Sequence, residues 1–298
     1  MNRVTVFTPT YNRGHIIHKL VNSLLHQTVF DFRWLVIDDG SEDDTEKIFS
    51  ELRNTKPPFE LRYIKVPNGG KQRAINKAVS LIETEYVFIV DSDDYLTPDA
   101  MEKVLSWIND NDIDDGFAGV SGVKGTDAQT PVGNRKHLFP GGYIDATNLE
   151  RKEYGLELDM AEVYKTEILR RYPFEVFENE KFVPEATVWD RIAQDGYKLR
   201  WHQDIIYICE YLTDGLTKGS WRLLKNNPVG YARLFDTQLS TEKKGKWKIC
   251  LQMVCCLILA KRWNLIFKSN DPLRAVLCTP AAWLLSLRRK MQFHKYVK

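Results

Sequence analysis

Three aspartates follow directly on a run of apolar residues in the segment FIVDSDDYLTP, residues 88–98. Hard divalent cations prefer oxygen ligands, and Mg²⁺ or Mn²⁺ often bridges one or two carboxylates to the phosphates of a substrate. Asp91 and Asp93, two residues apart, are therefore candidate ligands of a metal-bound diphosphate. A solvated turn before a helix would use the same residue types, because aspartates stabilise the N-terminus of a helix.

Three other polar segments follow apolar runs earlier in the chain. They are TPTYNR at 8–13, DDGS at 38–41 and NGGK at 68–71. The glycines allow a ligand to approach the backbone closely, and Tyr11 offers an aromatic face for stacking. Carboxylates therefore occur in two of the four polar segments, at Asp38-Asp39 and at Asp91–Asp94.

Strands and helices are predicted to alternate through the first 110 residues. The apolar runs at 4–8, 33–38, 61–66 and 86–90 are typical of buried strands, and helical spacing follows them at 16–25, 41–52, 70–82 and 98–108. Ser41 and Asp44 are spaced as a capping box, which predicts the start of the second helix. Such alternation indicates a parallel sheet with helices on both faces, and ligands bind such sheets beyond the carboxyl ends of the strands. The four polar segments are therefore expected to converge on one crevice.

The rest of the chain has a less regular pattern. Strands are predicted at 114–123 and 205–212, and helices at 162–172 and 185–197. Residues 220–298 are predicted to be helical, basic and rich in Trp and Leu. The longest apolar run, 249–260, is too short to span a bilayer as a helix.

Charge is distributed unevenly along the 298 residues, although the net charge is only +2. Thirteen Lys or Arg and a single acid, Asp271, lie from Lys243 onward, and the remainder has 29 basic and 39 acidic residues. An acidic body with a basic tail indicates that the tail meets an anionic partner. Basic residues alternate with Trp, Phe and Leu in 243–248, 260–268 and 284–298, which favours a peripheral membrane contact over nucleic acid. An ordinary helical subdomain is the alternative.

The five cysteines show no CxxC spacing. Their odd number indicates reduced thiols in a cytoplasmic protein, rather than a disulfide framework or a zinc site. No signal peptide is visible before the first predicted strand, so we expect a cytoplasmic protein at the inner face of the membrane. No GxGxxG motif of a dinucleotide oxidoreductase is present.

In this order and spacing, TPTYNRG, VIDDGSEDDT, NGGKQRAIN and FIVDSDD resemble the nucleotide-binding half of inverting GT-A glycosyltransferases of family 2. The likeness is strong over residues 3–110 and weaker to about 215. It implies an α/β GT-A fold, a Rossmann-like and mostly parallel sheet flanked by helices, with a helical C-terminal region. The implied domains are a catalytic domain at 1–215, whose nucleotide-binding and acceptor halves meet near residue 110, and a basic region at 216–298.

The resemblance also assigns roles to residues of the first half. Asp39 would bind the uracil ring, because a carboxylate can accept the imide N–H. Asp93 would ligate Mn²⁺ or Mg²⁺ together with Asp91, which would also contact the ribose or the donor sugar. The remaining residues expected to bind the UDP-sugar are Thr8, Pro9, Tyr11, Arg13, Gly70, Lys71 and Ser92.

Inverting transfer needs a general base that deprotonates the acceptor hydroxyl. Family members usually place it in a Glu-Asp pair followed by a Trp and an Arg. The segment VPEATVWDRIAQDGYK, 183–198, aligns Pro184-Glu185 with that pair, so the resemblance implies that Glu185 is the base. The base is thus Glu instead of Asp, and the preceding acid is missing. Trp189 would contact the acceptor, and Asp190 is the alternative base.

The segment EYLTDGLTKGSW, 210–221, resembles a lid or acceptor loop, in which Asp214 would meet the acceptor or the metal. Processive relatives carry QxxRW, but Tyr197 replaces the Gln here, which disfavours a polymerising synthase. The resulting hypothesis is the metal-assisted transfer of one sugar from a UDP-sugar to a glycan or lipid-linked acceptor, in cell-surface polysaccharide synthesis. The alternatives are a sugar-nucleotide nucleotidyltransferase and a catalytically dead module that binds glycan or membrane.

Overall fold

The computed structural model describes residues 2–109, 114–135, 139–210 and 220–296. Contacts divide the chain into two compact units. The first is Met1–Pro173 with Asp195–Tyr211, and the second is Phe174–Gln194 with Leu212–Lys298. The domain limits that the sequence suggested near residues 110 and 215 stay a prediction.

A mixed sheet dominates the first unit and has nine strands within the described residues. Four parallel strands form its N-terminal part in the order β3-β2-β1-β4. These strands and the helices that follow the first three are β1 (Val4–Thr10), α1 (His18–Leu25), β2 (Phe32–Asp38), α2 (Thr45–Asn54), β3 (Glu60–Lys65), α3 (Lys71–Leu81) and β4 (Tyr86–Ile89). β1 is buried throughout, as expected for a parallel strand inside a sheet that is covered on both faces.

The sheet continues beyond β4 in the order β10-β6-β11-β5, and β8 pairs with β11. The elements of this part are β5 (Tyr95–Leu96), α4 (Ala100–Ile108), β6 (Phe117–Gly125), β7 (Gly133–Arg135), β8 (Tyr143–Ala146), β9 (Leu156–Leu158), β10 (Met160–Lys165), α5 (Thr166–Arg171) and β11 (Lys198–Ile208). β7 and β9 form a separate two-stranded sheet. The predicted α/β fold with a sheet flanked by helices is confirmed, and the predicted strand at 114–123 corresponds to β6.

The prediction of a helix at 162–172 is wrong for residues 162–165. Residues 162–165 belong to β10, which is antiparallel to β4 on one side and to β6 on the other. Val163 lies opposite Phe88 of β4 and Val120 of β6, and all three side chains are fully buried. Pairing within the sheet therefore overrides the local helical spacing, and the helix begins only at Thr166.

The capping box predicted from Ser41 and Asp44 is also wrong. α2 begins at Thr45, and Asp44 at its N-cap makes no side-chain capping hydrogen bond. Ser41 instead accepts a hydrogen bond from the backbone N–H of Asn12 at 2.8 Å. Asp43 accepts from the N–H of Thr45 at 3.1 Å. The loop thus uses its polar residues to hold neighbouring segments, which a local motif does not predict.

Within the described residues, the regular elements of the second unit are all helices. Its elements are α6 (Ala186–Gln194), α7 (Ser220–Asn226), α8 (Pro228–Thr241), α9 (Lys246–Leu259), a 3₁₀ helix (Trp263–Lys268) and α10 (Pro272–Tyr296). Its core includes Cys250, Val254 and Leu257 of α9, packed with residues of α8 and α10. The cysteines are free thiols. Among the described helices, none combines the length and the apolar character needed to span a membrane.

Candidate active site

The loops that follow β1 and β2 are tied to each other. The backbone N–H of Asn12 donates to Ser41, and the N–H of Glu42 donates to the side-chain oxygen of Asn12, each at 2.8 Å. Asn12 adopts a left-handed backbone with φ of +52°, which asparagine tolerates better than most residues. The N–H of Gly14 donates to Asp43 at 2.8 Å. The first two loops are therefore held together at the carboxyl edge of the sheet.

Asp39 connects the loop after β2 to the loop after β3. Its carboxylate accepts hydrogen bonds from the backbone N–H groups of Gly69 and Gly70, both at 2.7 Å. Asn68 donates its side-chain amide to the carbonyl oxygen of Asp39 at 2.8 Å. Gly70 has a φ of +96°, which favours glycine at this position. The amide of Asn68 also donates to the carboxylate of Asp39, at 3.2 Å. The role of Asp39 in binding a nucleobase N–H stays a prediction.

Asp91 and Asp93 lie just after β4 and face cations from two other loops. The ammonium of Lys71, the first residue of α3, is 2.6 Å from Asp91, and the guanidinium of Arg13 is 3.8 Å from Asp93. Burial acts to raise the pKa of Asp91, but the charges of Lys71, Lys124 and Arg13 outweigh it and hold that pKa below its usual value. Burial and the charge of Asp91 raise the pKa of Asp93. The charges of the two carboxylates therefore act on each other, and each carboxylate faces a cation.

Asp94 is held in place by Tyr207, a residue that sequence reasoning did not identify. The Tyr207 hydroxyl donates to the Asp94 carboxylate at 2.8 Å and accepts from the backbone N–H of Asp91 at 2.9 Å. The N–H of Glu210 donates to the other oxygen of Asp94 at 2.9 Å. Burial and the charge of Asp91 raise the pKa of Asp94 to about 6. Tyr207 thus fixes the aspartate turn from a strand more than a hundred residues later in the chain.

Lys124 on β6 is a second residue that sequence reasoning missed. Its ammonium lies 4.5 Å from the centre of the Tyr207 ring, in a cation–π contact. Burial alone would lower the pKa of Lys124, but the nearby charges of Asp159, Asp91 and Glu162 raise it. The signal in the sequence was a single Lys within the apolar strand GVSGVKG.

The residues expected to line the nucleoside differ in their surroundings. Thr8 is fully buried, and its hydroxyl accepts a hydrogen bond from the indole N–H of Trp34 at 3.1 Å. Pro9 and Ser92 are buried, whereas Tyr11 is 47% exposed. The ring of Tyr11 is therefore accessible to a base, while the hydroxyl of Thr8 already supports the core. The ligand roles of these four residues stay predictions.

The residues expected to act on the acceptor belong to the second unit or lie outside the described residues. Glu185 immediately precedes α6, and its carbonyl oxygen accepts from the N–H of Val188 at 2.9 Å. Trp189 is buried in α6 and packs edge-to-face against Phe174, with 5.9 Å between ring centres. Asp214 lies outside the described residues. The roles of Glu185, Trp189 and Asp214 stay predictions.

The donor set at the end of β4 fits a divalent cation that is shared with a ligand. The described residues contain no group of three or more His, Cys, Asp or Glu arranged to hold a metal by themselves. Asp93 and Asp91 offer two partly exposed carboxylates, and burial together with the charge of Asp91 raises the pKa of Asp93. Mg²⁺ and Mn²⁺ are commonly held by one or two carboxylates, with substrate phosphates and water as the other ligands.

The comparison with known families agrees with this geometry. The model described as glycosyl transferase family 2 matches residues 5–172, which is more than half of the chain. The chain therefore belongs to glycosyltransferase family 2. The family resemblance noted in the motifs is confirmed, and with it the class of enzyme, a glycosyltransferase.

Individual relatives match different shares of the chain. A GalNAc(5)-diNAcBac-PP-undecaprenol beta-1,3-glucosyltransferase of Campylobacter jejuni is 25% identical over 260 residues, which cover 83% of this chain and 79% of that protein. Chondroitin synthase of Pasteurella multocida is 40% identical over 102 residues, or 34% of this chain. For three of the curated relatives that it matches, this chain spans only about a tenth to a half of the relative's own length.

Two solved structures share the fold. Staphylococcus aureus TarS 1–349 in complex with UDP-GlcNAc has a TM-score of 0.62 and 19% identity, covering 93% of this chain and 79% of that one. Mannosyltransferase PcManGT from Pyrobaculum calidifontis, in complex with GDP-Man and Mn²⁺, has a TM-score of 0.57 and 19% identity, covering 97% and 82%. At this identity the likeness establishes the fold, and the two structures contain different nucleotides.

Proposed function

We propose that the protein transfers a single sugar from a UDP-sugar to a hydroxyl of a glycan or lipid-linked acceptor, with inversion at the anomeric carbon. The observation that carries this proposal is the pairing of Asp91 with Lys71 and of Asp93 with Arg13 at the carboxyl edge of the sheet. The two carboxylates suit a metal and the two cations suit a diphosphate, and these residues lie at the edge where open α/β sheets bind ligands, which supports the proposal.

The donor is proposed to be a uridine nucleotide because of Asp39. This buried carboxylate directly follows β2 and accepts from Gly69 and Gly70. The backbone N–H of Asp39 donates to the carbonyl oxygen of Thr10 at 2.8 Å, and the exposed Tyr11 is the next residue after Thr10. A carboxylate accepts the imide N–H of uracil. The similar fold in complex with UDP-GlcNAc supports this proposal, and the one in complex with GDP-Man leaves an alternative for experiment.

The chemistry would be a single displacement at the anomeric carbon. A bond forms between the acceptor oxygen and that carbon, while the bond from the carbon to the diphosphate oxygen breaks and UDP leaves with the electron pair. Lys71 and Arg13 would stabilise the charge on the diphosphate. Mn²⁺ or Mg²⁺ held by Asp93 and Asp91 would neutralise further charge on the leaving group. Glu185 would receive the proton of the acceptor hydroxyl.

The acceptor is proposed to be part of a cell-surface glycan, attached to a lipid carrier. The Campylobacter relative, which matches most of this chain, carries an undecaprenol-linked glycan in its name. The strongly basic region from Lys243 onward would bring the enzyme to the cytoplasmic face of the membrane by electrostatic attraction. A nucleotidyltransferase is disfavoured by the family match, and a catalytically dead module remains the alternative that activity must exclude.

A donor screen tests the proposal. Purified protein is incubated with a panel of nucleotide sugars and Mn²⁺, and the release of free nucleotide is measured. We expect turnover with a UDP-sugar, loss of turnover with EDTA, and at least a hundredfold loss in Asp93→Ala. Asp44→Ala removes an exposed aspartate from the same edge of the sheet and should keep wild-type activity. An Asp93→Ala variant that binds UDP and Mn²⁺ as the wild type does in calorimetry would remove Asp93 from the metal site.

A further inference from the structure

Helix α10 has two apolar faces, and only one of them is covered. Ala275, Cys278 and Ala282 are buried in the core of the second unit. Other large apolar side chains recur at spacings of three, four or seven residues and remain exposed: Leu273, Leu277, Leu284, Leu287 and Met291. At about 100° per residue, these positions form one continuous stripe on the side of the helix opposite the buried one. A soluble helix normally presents polar residues on that side.

Neighbouring residues widen the stripe into a larger apolar surface. Trp283 and Val276 flank it on α10, and Trp263 and Phe267 of the adjoining 3₁₀ helix are exposed beside it. A groove of about 770 Å³ runs between the two helices, and its lining is almost entirely apolar: Trp263, Ile266, Phe267, Val276, Thr279, Pro280, Trp283 and Leu284. Soluble monomers rarely expose contiguous apolar patches larger than a few hundred Å², and such patches mark interaction sites. We call this surface the α10 face.

The charges around the α10 face favour one kind of partner. Arg288 and Lys290 are exposed on either side of Leu287 around the helix, and Lys268 follows directly on Phe267. The acid of this region, Asp271, is already paired with Arg274. Two copies joined through this surface would bring their positive charges together, which is unfavourable. Nucleic acid would satisfy the charges but would leave the leucines uncovered. An anionic lipid surface satisfies both.

We propose that the α10 face lies in the plane of an anionic bilayer, with Leu277, Trp283 and Leu284 inserted among the lipid chains. Arg288, Lys290 and Lys268 contact the lipid phosphates, because long basic side chains can extend from an apolar surface to the headgroups. The inference deepens the proposed membrane contact by adding apolar insertion to electrostatic attraction, and it does not depend on sugar transfer. Because salt screens charges but not apolar insertion, part of the vesicle binding through this face would persist at high salt.

Vesicle binding by the full chain tests the α10 face. Sedimentation is measured with vesicles of phosphatidylcholine containing 30% phosphatidylglycerol, and with vesicles of phosphatidylcholine alone. The test variant is Leu277→Gln/Leu284→Gln, which keeps the charge and uses residues that are 60% and 64% exposed in the wild type. The matched control is Val176→Gln, which alters an apolar residue of the same unit that is 50% exposed.

We expect the double variant to lose at least tenfold in partitioning to the anionic vesicles, and Val176→Gln to stay within twofold of wild type. Melting temperatures and release of UDP from a donor sugar in the absence of vesicles should match wild type in both variants. Equal partitioning of the double variant, with binding abolished by Arg288→Gln/Lys290→Gln, would show that charge alone attaches the protein. The wild type could instead form a dimer and the double variant a monomer, with no vesicle binding by either protein. That outcome would show that the α10 face binds a second copy of the chain. Either result overturns the proposal.

Discussion

The ammonium of Lys71 lies 2.6 Å from a carboxylate oxygen of Asp91, which joins the start of α3 to the end of β4. Arg13, from the loop after β1, faces Asp93 at 3.8 Å. Cations from two loops thus partly compensate the aspartates of a third one. Burial acts to raise the pKa of Asp91, but the charges of Lys71, Lys124 and Arg13 together lower it, so that carboxylate is ionised near neutral pH. The site therefore presents a charged carboxylate, the proposed metal ligand, next to a cation that suits a diphosphate.

The first prediction concerns Lys71→Met. Without the ammonium, the pKa of Asp91 rises and the diphosphate loses a cation, so we expect kcat/KM for the donor sugar to fall roughly 10- to 100-fold. The melting temperature should change little, because a partly exposed ion pair contributes at most about 1 kcal/mol to stability. Steady-state kinetics and thermal unfolding measure the two effects.

Lys103→Met is the matched control for this substitution. Lys103 forms a comparable ion pair with Asp99 at 2.9 Å, on α4 rather than in the candidate site. Its loss should leave donor kinetics within twofold of wild type. Equal kinetic losses in Lys71→Met and Lys103→Met would mean that the effect reports general charge or folding, and not a role of Lys71 at the diphosphate.

The second prediction concerns nucleotide choice. UDP with Mn²⁺ should stabilise the protein against heat, whereas GDP at the same concentration should stabilise it much less. A ligand at a hundred times its Kd raises the free energy of unfolding by about 2.7 kcal/mol, which thermal shift detects. Asp39→Asn should weaken the effect of UDP and also lower the melting temperature of the free protein, because Asp39 accepts from Gly69 and Gly70. Stabilisation by GDP and not by UDP would contradict the proposal that Asp39 binds the uracil ring.

Local patterns predicted the first four strands, because each is a short apolar run followed by helical spacing, and they predicted that Asp39 and Asp91 lie at strand ends. They did not predict β10, since its helical spacing is local whereas its pairing with β4 and β6 is not. They also missed Tyr207 and Lys124. Both reach the aspartate turn across a sheet whose strand order departs from chain order, and a single sequence carries no sign of that order.

The third prediction concerns Glu162 on β10 and the pH dependence of stability. Burial raises the pKa of Glu162 from 4.5 to about 7, although Arg151 and Lys124 oppose the shift. The folded protein therefore holds this proton more tightly than the unfolded chain does. The contribution of Glu162 to stability falls as the pH rises from about 4.5 to about 7, and is constant above that range.

Glu162→Gln removes this ionisation. We expect its melting temperature to exceed that of wild type at pH 8 by more than it does at pH 5, as scanning calorimetry at both pH values would measure. Glu157→Gln alters an exposed glutamate on β9 and should show no such difference between the two pH values. A gain from Glu162→Gln that is equal at pH 5 and pH 8 would contradict the raised pKa.

The last prediction concerns Glu185, the proposed general base. It immediately precedes α6, and a general base typically contributes a factor of 10² to 10⁴ to the rate. Glu185→Gln keeps the size and the hydrogen-bonding capacity of the side chain but removes its basicity, so we expect kcat to fall by about that factor. UDP binding should stay within twofold of wild type, because the base acts on the acceptor. Single-turnover kinetics and calorimetry with UDP separate the two effects.

Two further variants distinguish the base from its alternative. Glu185→Asp restores basicity with a side chain one methylene shorter, so it should recover part of the rate if that reach is tolerated. Asp190 is a buried carboxylate on α6, and Asp190→Asn should keep most of the activity because the resemblance aligns Glu185, and not Asp190, with the base of the family. Asp190 would be the base if Glu185→Gln transfers sugar at nearly the wild-type rate while Asp190→Asn is folded but inactive. The distinction requires both melting temperatures, since a buried residue can lose activity through unfolding alone.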